Sequence, residues 1–383
     1  MREVVIVEAV RTPVGRRNGL LSLIRPDELA ALTLKELTDR ALIDPAVIED
    51  VIMGCVSQVG EQAADIGRTA ALIAGYPIEV PGTTIDRQCG SSQQAVHFAS
   101  QAILSGDMDV VVASGIENMS RVPMFSNMQG AKLSPKLNEK YEVINQGLSA
   151  ERIAEKWGYS REQLDEFSYQ SHQKAIKAQG EGRFKKETFS VDVTLEDGSK
   201  QTITQDEGPR PGTTPEKLGE LESVFKNDGI ITAGNASQIS DGSAALLLMT
   251  REKANELGLK PRFKILARSV VGSDPTLMLT GPIPATEKVL NKAGLTIDDI
   301  DLFEVNEAFA PVPLAWLDET GAKLNKLNVN GGAIALGHPL GASGAKLMTT
   351  LIHELERTGG RYGLLTMCEG HGMANATIIE RLD

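Results

Sequence analysis

Two stretches of this chain read alike at an offset of about 250 residues, and that self-similarity restricts the fold more tightly than any bulk property. Ile48-Glu-Asp-Val-Ile-Met-Gly-Cys55 is matched by Asp299-Ile-Asp-Leu-Phe-Glu-Val-Asn306, each an acidic lead-in to a short apolar strand. Cys89 to Gly115 runs turn, Ala/Ser-rich helix, Gly-Asp and apolar strand, and Gly337 to Gly370 repeats that order with Gly-Gly before the strand. A duplicated α/β unit of about 120 residues per copy is the simplest origin; chance likeness between two βα units is the other. Apolar runs at Val4 to Val7, Val110 to Ala113 and Gly363 to Met367 suit buried strands. They alternate with candidate helices Asp27 to Leu42, Ala64 to Ala74, Ser91 to Ser105 and Ala342 to Arg357, which should cover both faces of a sheet.

The 383 residues are 41% apolar and 23% charged, enough for real cores and unlike a disordered chain. A usual domain of roughly 100 to 200 residues predicts two or three domains. With 39 Lys and Arg against 51 Asp and Glu, the net charge is -12. That balance argues against broad binding of nucleic acid or anionic lipid, so an anionic ligand must be held by a local site. Cys55, Cys89 and Cys368 are odd in number and far apart, which fits neither a disulfide framework nor a CxxC pair and points to a reducing compartment. No run reaches the roughly 18 apolar residues of a membrane span. No export signal is visible, and Glu380-Arg-Leu-Asp is not a peroxisomal ending. The expected location is cytoplasmic.

Residues 118–240 break the rhythm. Met119, Met124 and Met128 precede a polar helical stretch and a Gly/Pro/Thr-rich passage around Gly208 to Thr214, the pattern of an inserted loop domain or lid. The expected division is a first half over 1–117, completed by about 241–260, an insert over 118–240, and a second half over 261–383. Ser160-Arg-Glu-Gln163 has capping-box spacing and should open a helix running toward Ala178. The three methionines fit either an adaptable acyl pocket or ordinary core filling.

Arg87-Gln-Cys89-Gly-Ser-Ser-Gln-Gln-Ala follows a strand-like Thr83 to Asp86 and leads into a helix, so Cys89 belongs near a helix N-terminus. Unpaired N–H groups and the positive end of the helix dipole there favour the thiolate. On this context alone Cys89 is either a nucleophile or a bland buried thiol. Asn328-Val-Asn-Gly-Gly-Ala-Ile-Ala-Leu-Gly-His338-Pro-Leu-Gly-Ala-Ser-Gly344 is a glycine cluster framing one histidine. Gly332 and Gly337 have the spacing of a phosphate loop, but His338 and Pro339 replace its Lys and Ser/Thr, which argues against that reading. His338 before proline belongs in a turn, which suits a poised base. Met367-Cys368-Glu-Gly-His-Gly372 ends an apolar strand in a glycine-rich turn, and a second thiol there suits an acid or base. Cys368 and His371 have Cys-x-x-His spacing, yet no companion pair of ligands is visible and no metal is expected. Cys55, in an expected strand Val51 to Ser57, reads as core, and His97, His172 and His353 as structural or surface residues.

Taken together and in order, a series of segments resembles the thiolase family, enzymes that make or split 3-oxoacyl-CoA at a carbon–carbon bond. They are Val7-Glu-Ala-Val-Arg-Thr-Pro-Val-Gly, the Cys89 turn, Gly115-Ile-Glu-Asn-Met-Ser120, Ala233-Gly-Asn-Ala-Ser-Gln-Ile-Ser-Asp-Gly242, Asn306-Glu-Ala-Phe-Ala310, Gly331 to Gly344, and Cys368-Glu-Gly-His-Gly372. The likeness covers essentially the whole chain. It implies an α/β thiolase fold of duplicated mixed-sheet halves in five αβαβα layers, with an inserted loop domain. It also implies a homodimer or homotetramer, acyl-CoA and CoA as partners, CoA as co-substrate, and no permanently bound cofactor.

By resemblance, Cys89 is the acyl-accepting nucleophile, His338 takes its proton and polarises substrate, and Cys368 moves the proton at the acetyl methyl carbon. The implied activity is acetyl-CoA C-acyltransferase, by ping-pong transfer through Cys89. A cysteine suits that work, because a thioester intermediate keeps the energy of the CoA thioester for the next transfer. His338 with a water held by Asn306 is implied as one oxyanion site, and the backbone N–H groups of Cys89 and Gly370 as the other. Carried over by position, Ser237 faces the pantetheine amides, Phe225 and Ala233 flank that arm, and Arg210 faces the nucleotide phosphates.

Departures from the commonest family pattern are Gln88-Cys-Gly-Ser-Ser in place of Cys-Ala-Ser-Gly, Glu369 and His371 where small residues or glycine are frequent, and Asn145 where a histidine is frequent. They bear on substrate choice, so acetoacetyl-CoA need not be the best substrate. A decarboxylating condensing enzyme of the same fold would pair its cysteine with two histidines or with His and Asn, and Cys368 argues against that. A non-catalytic acyl-CoA- or lipid-binding module would be expected to lose Cys89, His338 or Cys368, and all are present.

Overall fold

The repeat in the sequence is a repeat of strand order. The computed structural model describes residues 2–382. The chain opens with β1 (Val4–Arg11), the two-residue β2 (Gly15–Arg16), α1 (Pro26–Ala41), β3 (Asp50–Gly54), α2 (Ile66–Ile73), β4 (Gly82–Ile85), α3 (Ser91–Ser105) and β5 (Val110–Asn118). Next come α4 (Pro135–Asn138), α5 (Gln146–Trp157), α6 (Arg161–Gly180), a hairpin of β6 (Val191–Thr194) and β7 (Lys200–Ile203), and α7 (Pro215–Gly219). The chain rejoins the sheet as β8 (Ser240–Thr250), and α8 (Arg251–Glu256) leads on. The second half is β9 (Phe263–Gly272), α9 (Pro282–Ala293), β10 (Leu302–Val305), α10 (Pro311–Thr320), α11 (Ala333–Leu336), α12 (Ser343–Thr358), β11 (Tyr362–Glu369) and β12 (Met373–Arg381).

The strands follow the order β10-β11-β12-β9-β1-β8-β5-β3-β4, with β2 beside β8. In each half the first strand pairs antiparallel with the last, as β1 with β8 and β9 with β12. The last strand then pairs antiparallel with β5 or β11, and these pair parallel with β3 or β10. β4 has a vestigial counterpart in a single parallel bridge from Phe303 to Leu327. The halves meet where β1 touches β9 through Val5–Lys264 and Ile6–Phe263.

Both faces of this sheet are covered, which is why β5 and β8 are buried at every position. Leu29, Leu34 and Leu37 of α1 pack with Val112 and Leu247 on one face. The opposite face meets α3 and α12 through Val96, Ile103, Leu347 and Leu351. Beyond them, Val289 of α9 and Trp316 of α10 cover the second half's far face with Phe303 and Ile378. The result is five layers, with α3 and α12 in the middle. Gly344 lets that layer close, because a Cβ there would overlap the backbone of Gln93.

The helices begin and end within a few residues of where the hydrophobic pattern predicts, α3 spanning Ser91–Ser105 itself. Ser160 and Gln163 form the reciprocal capping box at the start of α6. The strand around Cys55 stops at Gly54, and Cys55 follows it as a fully buried core residue. Arg11 is wholly buried, with Nε 2.6 Å from Glu187 and the guanidinium bidentate on Asp206 at 2.6 and 3.0 Å, and so ties β1 to the segment between β5 and β8. Among the described residues no helix is long and apolar enough to cross a membrane.

Candidate active site

Cys89 sits in a tightly wound turn between β4 and α3. Asp86 accepts from Gln88 N at 2.6 Å, while Ser91 Oγ accepts from Arg87 N at 2.9 Å and donates to Gln88 O at 2.6 Å. Gln88 takes a left-handed φ of 48°, and Gly90 is the N-cap residue of α3. Cys89 is buried among Val56, Met119, Leu340 and Met367. Of the three candidate pocket methionines, Met119 reaches this cluster and Met124 is exposed.

The helix start does not leave Cys89 as a ready thiolate, contrary to the expectation from its position. Burial pushes the thiol well above the usual cysteine value, and neighbouring Cys368 and Glu369 add to the rise. The Cys89 N–H near its own sulfur only partly opposes this. Desolvation of an anion outweighs the dipole of one helix end here, so the resting group is a neutral thiol.

His338 lies in the turn between α11 and α12. Its N–H faces Gln238 O at 3.1 Å and Ser240 Oγ at 3.2 Å. Ser343 Oγ donates to Pro339 O at 2.8 Å, so its contact of 2.5 Å with His338 Nδ1 is one in which the ring donates. The lone pair is thereby left on Nε2, which faces Asn306 Nδ2 at 3.4 Å. Burial, assisted by Lys346, pulls the imidazole down to about 3 and keeps it neutral. Among the described residues no hydrogen bond joins it to Cys89.

Asn306 follows β10, and its N–H bonds Thr366 O on β11 at 3.1 Å. Its Oδ1 is buried without a partner, an acceptor available to a water or a substrate group. Cys368, on the same strand as Thr366, is 1% exposed and packs with Ala308, Phe309 and Ile334. Burial pushes its thiol up to about 12. Cys89 and Cys368 are near enough for charge on one to act on the other. Gly370 abuts the nucleophile turn, since a Cβ there would lie 3.0 Å from Gln88 Oε1. Cys89, Cys368, Asn306, His338 and Gly370 therefore belong to one neighbourhood, drawn from both halves of the fold.

The expected CoA contacts form a second, more open group. Phe225 is half-buried and meets Phe309 edge-on at 5.8 Å, and Ser237 N donates to Ala308 O at 3.0 Å. Ala233 and Arg210 are exposed. Arg210 N donates to His172 Nδ1 at 3.2 Å, and neighbouring Gly208 lies against Ala335 of α11, close to the His338 turn. Asn145 caps α5 by accepting from Gly147 N at 2.8 Å, and exposed His371 lines a surface cavity with Tyr141, Val143 and Pro275. The remaining histidines are packed: His97 Nε2 meets Thr377 Oγ1 at 2.7 Å, and His353 Nδ1 meets Thr349 O at 2.9 Å. Among the described residues no group of three or more His, Cys, Asp or Glu is placed to hold a metal ion.

Sequence reasoning missed the supporting roles of Ser343 and Glu117, and it marked Glu369 only as a departure bearing on substrate choice. Ser343 orients the imidazole and stands in the same glycine-rich motif, so its spacing was a usable signal. Glu117, fully buried, accepts from Val56 N, Ser57 N, Gln62 Nε2 and Gly341 N at 2.8 to 3.1 Å, clamping the loop after Cys55 to the turn after His338. Glu369 points inward toward Gly90 and is 0% exposed.

A soft nucleophile, a neutral imidazole with a fixed tautomer and a second thiol around a common space can form and break thioesters and move a proton at carbon. Two family models match: "Thiolase, N-terminal domain" over residues 4–252 and "Thiolase, C-terminal domain" over residues 259–381. The chain is 51% identical to a steroid 3-ketoacyl-CoA thiolase of Mycobacterium tuberculosis, covering 100% of this chain and 95% of that protein. It is 44% identical to a 3-ketoacyl-CoA thiolase of Bacillus subtilis, covering 99% of this chain and all of that one. The crystal structure of Bacillus anthracis acetyl-CoA acetyltransferase superposes with a TM-score of 0.93 at 40% identity, over 100% of this chain and 99% of that chain.

Proposed function

The chain belongs to the thiolase family and is an acyltransferase that uses CoA as co-substrate, and from that premise we propose how its residues divide the chemistry. Cys89 loses its proton to His338 Nε2 as its sulfur attacks the 3-keto carbon of a 3-oxoacyl-CoA. The C2–C3 bond then breaks, its electron pair leaving as the enolate of acetyl-CoA, which Cys368 protonates at C2. The acyl group stays on Cys89 as a thioester until CoA, giving its thiol proton to the Cys368 thiolate, attacks the acyl carbon; Cys89 then leaves, takes back the proton held on His338 Nε2, and a shortened acyl-CoA is released. In reverse, Cys368 removes the methyl proton of acetyl-CoA for Claisen condensation.

The observation that carries this reading is the tautomer of His338. With Nδ1–H committed to Ser343, only Nε2 is free to act as base or to hold an oxyanion water with Asn306. The backbone N–H groups of Cys89 and Gly370 serve the second oxyanion, and fixed donors of this kind stabilise such charge by about 3 kcal/mol each. Ser237, Phe225, Ala233 and Arg210 line the CoA approach. A homodimer or homotetramer in the cytoplasm is the expected form. The relatives named for steroid and for β-ketoadipyl substrates, together with His371 at the outer cavity and Asn145 at the start of α5, support a substrate other than acetoacetyl-CoA as the best one.

The test is peptide mass spectrometry after incubation with acetyl-CoA. Acetyl mass is expected on the Cys89 peptide and absent in Cys89→Ser. Enzyme that binds acetyl-CoA without modification at Cys89 would overturn the assignment.

A further inference from the structure

Glu369 and Gly90, remote in the chain, touch. Glu369 closes β11 directly after Cys368, with its side chain turned to the opposite face of the strand. There it runs beneath the nucleophile turn, so that a Cβ added at Gly90 would overlap Glu369 Oε1 and lie 2.8 Å from Cδ. Gly90 has φ -86°, a conformation open to any residue. Its lack of a side chain is thus a matter of space, and the carboxyl occupies that space. Escape is limited, because Glu369 is 0% exposed and Asn375, whose Nδ2 donates to Gly90 O at 3.2 Å, closes one side. Both carboxyl oxygens are buried without a hydrogen-bond partner.

We propose that Gly90 and Glu369 are a matched pair, in which the missing side chain at 90 admits a buried carboxylic acid against the first turn of α3. The charge state of that acid sets how readily Cys89 yields its proton, which makes Glu369 a positioning residue for acyl transfer. The charged and titratable groups around it are Arg87 and Asp86 from the turn after β4, and Cys89 and Cys368; His371 acts at one remove through Asp86. Burial pushes Glu369 up to about 8, Arg87 opposing and Asp86 adding to the rise. It is therefore neutral at pH 7. As it ionises above about pH 8, its anion acts on both thiols and competes with a Cys89 thiolate for the positive end of α3.

The inference rests on Cys89 being the acyl acceptor, which the acetylation experiment decides separately; alkylation of Cys89 needs no turnover. Iodoacetamide labelling of the Cys89 peptide across about pH 6 to 10 is compared between the full-length protein and Glu369→Gln. The variant profile should lie lower in pH by about half a unit or more, a rate about threefold faster on the alkaline limb. The pH profile of acetyl transfer should move with it. Superimposable labelling profiles would overturn the tuning role, whereas a purely structural Glu369 would change stability and leave the profile alone. Gly90→Ala should lower turnover by about tenfold or more, and Gly90→Ala with Glu369→Ala should recover most of it. A harmless Gly90→Ala, or a double variant no better than the single, would overturn the pairing. If Gly90→Ala yields no folded protein, recovery of folding in the double variant is read in place of turnover.

Discussion

Burial acts on all three reactive groups of the site, holding Cys89 and Cys368 as thiols and His338 as a neutral imidazole. Reactive anions are therefore formed on demand, when substrate charge develops near fixed donors, and the resting enzyme should be slow to react with external electrophiles. The proposed mechanism gives the two thiols different duties, so Cys368→Ala should separate the half-reactions. Acetyl transfer from acetyl-CoA to Cys89 is expected within a few-fold of wild type, while carbon–carbon cleavage falls by about 10²- to 10⁴-fold; single-turnover measurement of each half checks it, and equal losses would contradict the division. The sequence offered these residues as candidates because each stands in a short glycine-rich or helix-leading motif, and the family resemblance supplied the roles proposed for them. Their ionisation was not legible there. A helix start is a local feature of the chain, but desolvation depends on what packs above it, and Val56, Met119, Leu340 and Met367 come from four separate segments.

At the scale of elements, the turns that carry Cys89 and His338 are held by side chains that bond their backbone, Asp86 and Ser91 for the first and Glu117 and Ser240 for the second, and by close packing. Gly341 shows how little room they have: a Cβ there would lie 2.6 Å from Ile116 O, 2.7 Å from Cys55 Cα and 2.8 Å from Glu117 Oε2. Gly341→Ala must spread the start of α12 from β5, at a cost of about 1 to 3 kcal/mol. Chemical denaturation should detect that loss, accompanied by a fall in kcat because His338 is three residues away. The elements marked by apolar runs or by the capping box at Ser160 were legible because those signals are local, whereas β9, β12, α9 and α10 were not singled out. The role of Glu117 was hidden because a glutamate in a strand reads as solvent-facing until the N–H groups of Val56, Ser57 and Gly341 are brought to it.

For the molecule as a whole, buried neutral histidines make acid a threat. His97 is held down to about 3 by burial, with Arg268 and Arg87 adding to the effect. The unfolded chain takes up that proton near pH 6.5, so the stability present above this value is lost as the pH falls from about 6.5 toward 3. His97→Gln removes the titration, and its unfolding free energy relative to wild type should rise by about 1.4 kcal/mol per pH unit between about pH 6 and 4. Denaturant titrations at several pH values check this; a constant difference would assign the acid sensitivity elsewhere. The duplication was legible as a repeat, but the way its copies dock was not, because the Val5–Lys264 and Ile6–Phe263 pairings and the Arg11 cluster join residues remote in the chain. The candidate site instead forms where the copies pack through the middle layer of α3 and α12, with Cys89 from one copy and His338, Asn306 and Cys368 from the other. Each copy therefore holds only part of the candidate site, so either one expressed by itself should be inert, and turnover should be a property of their union.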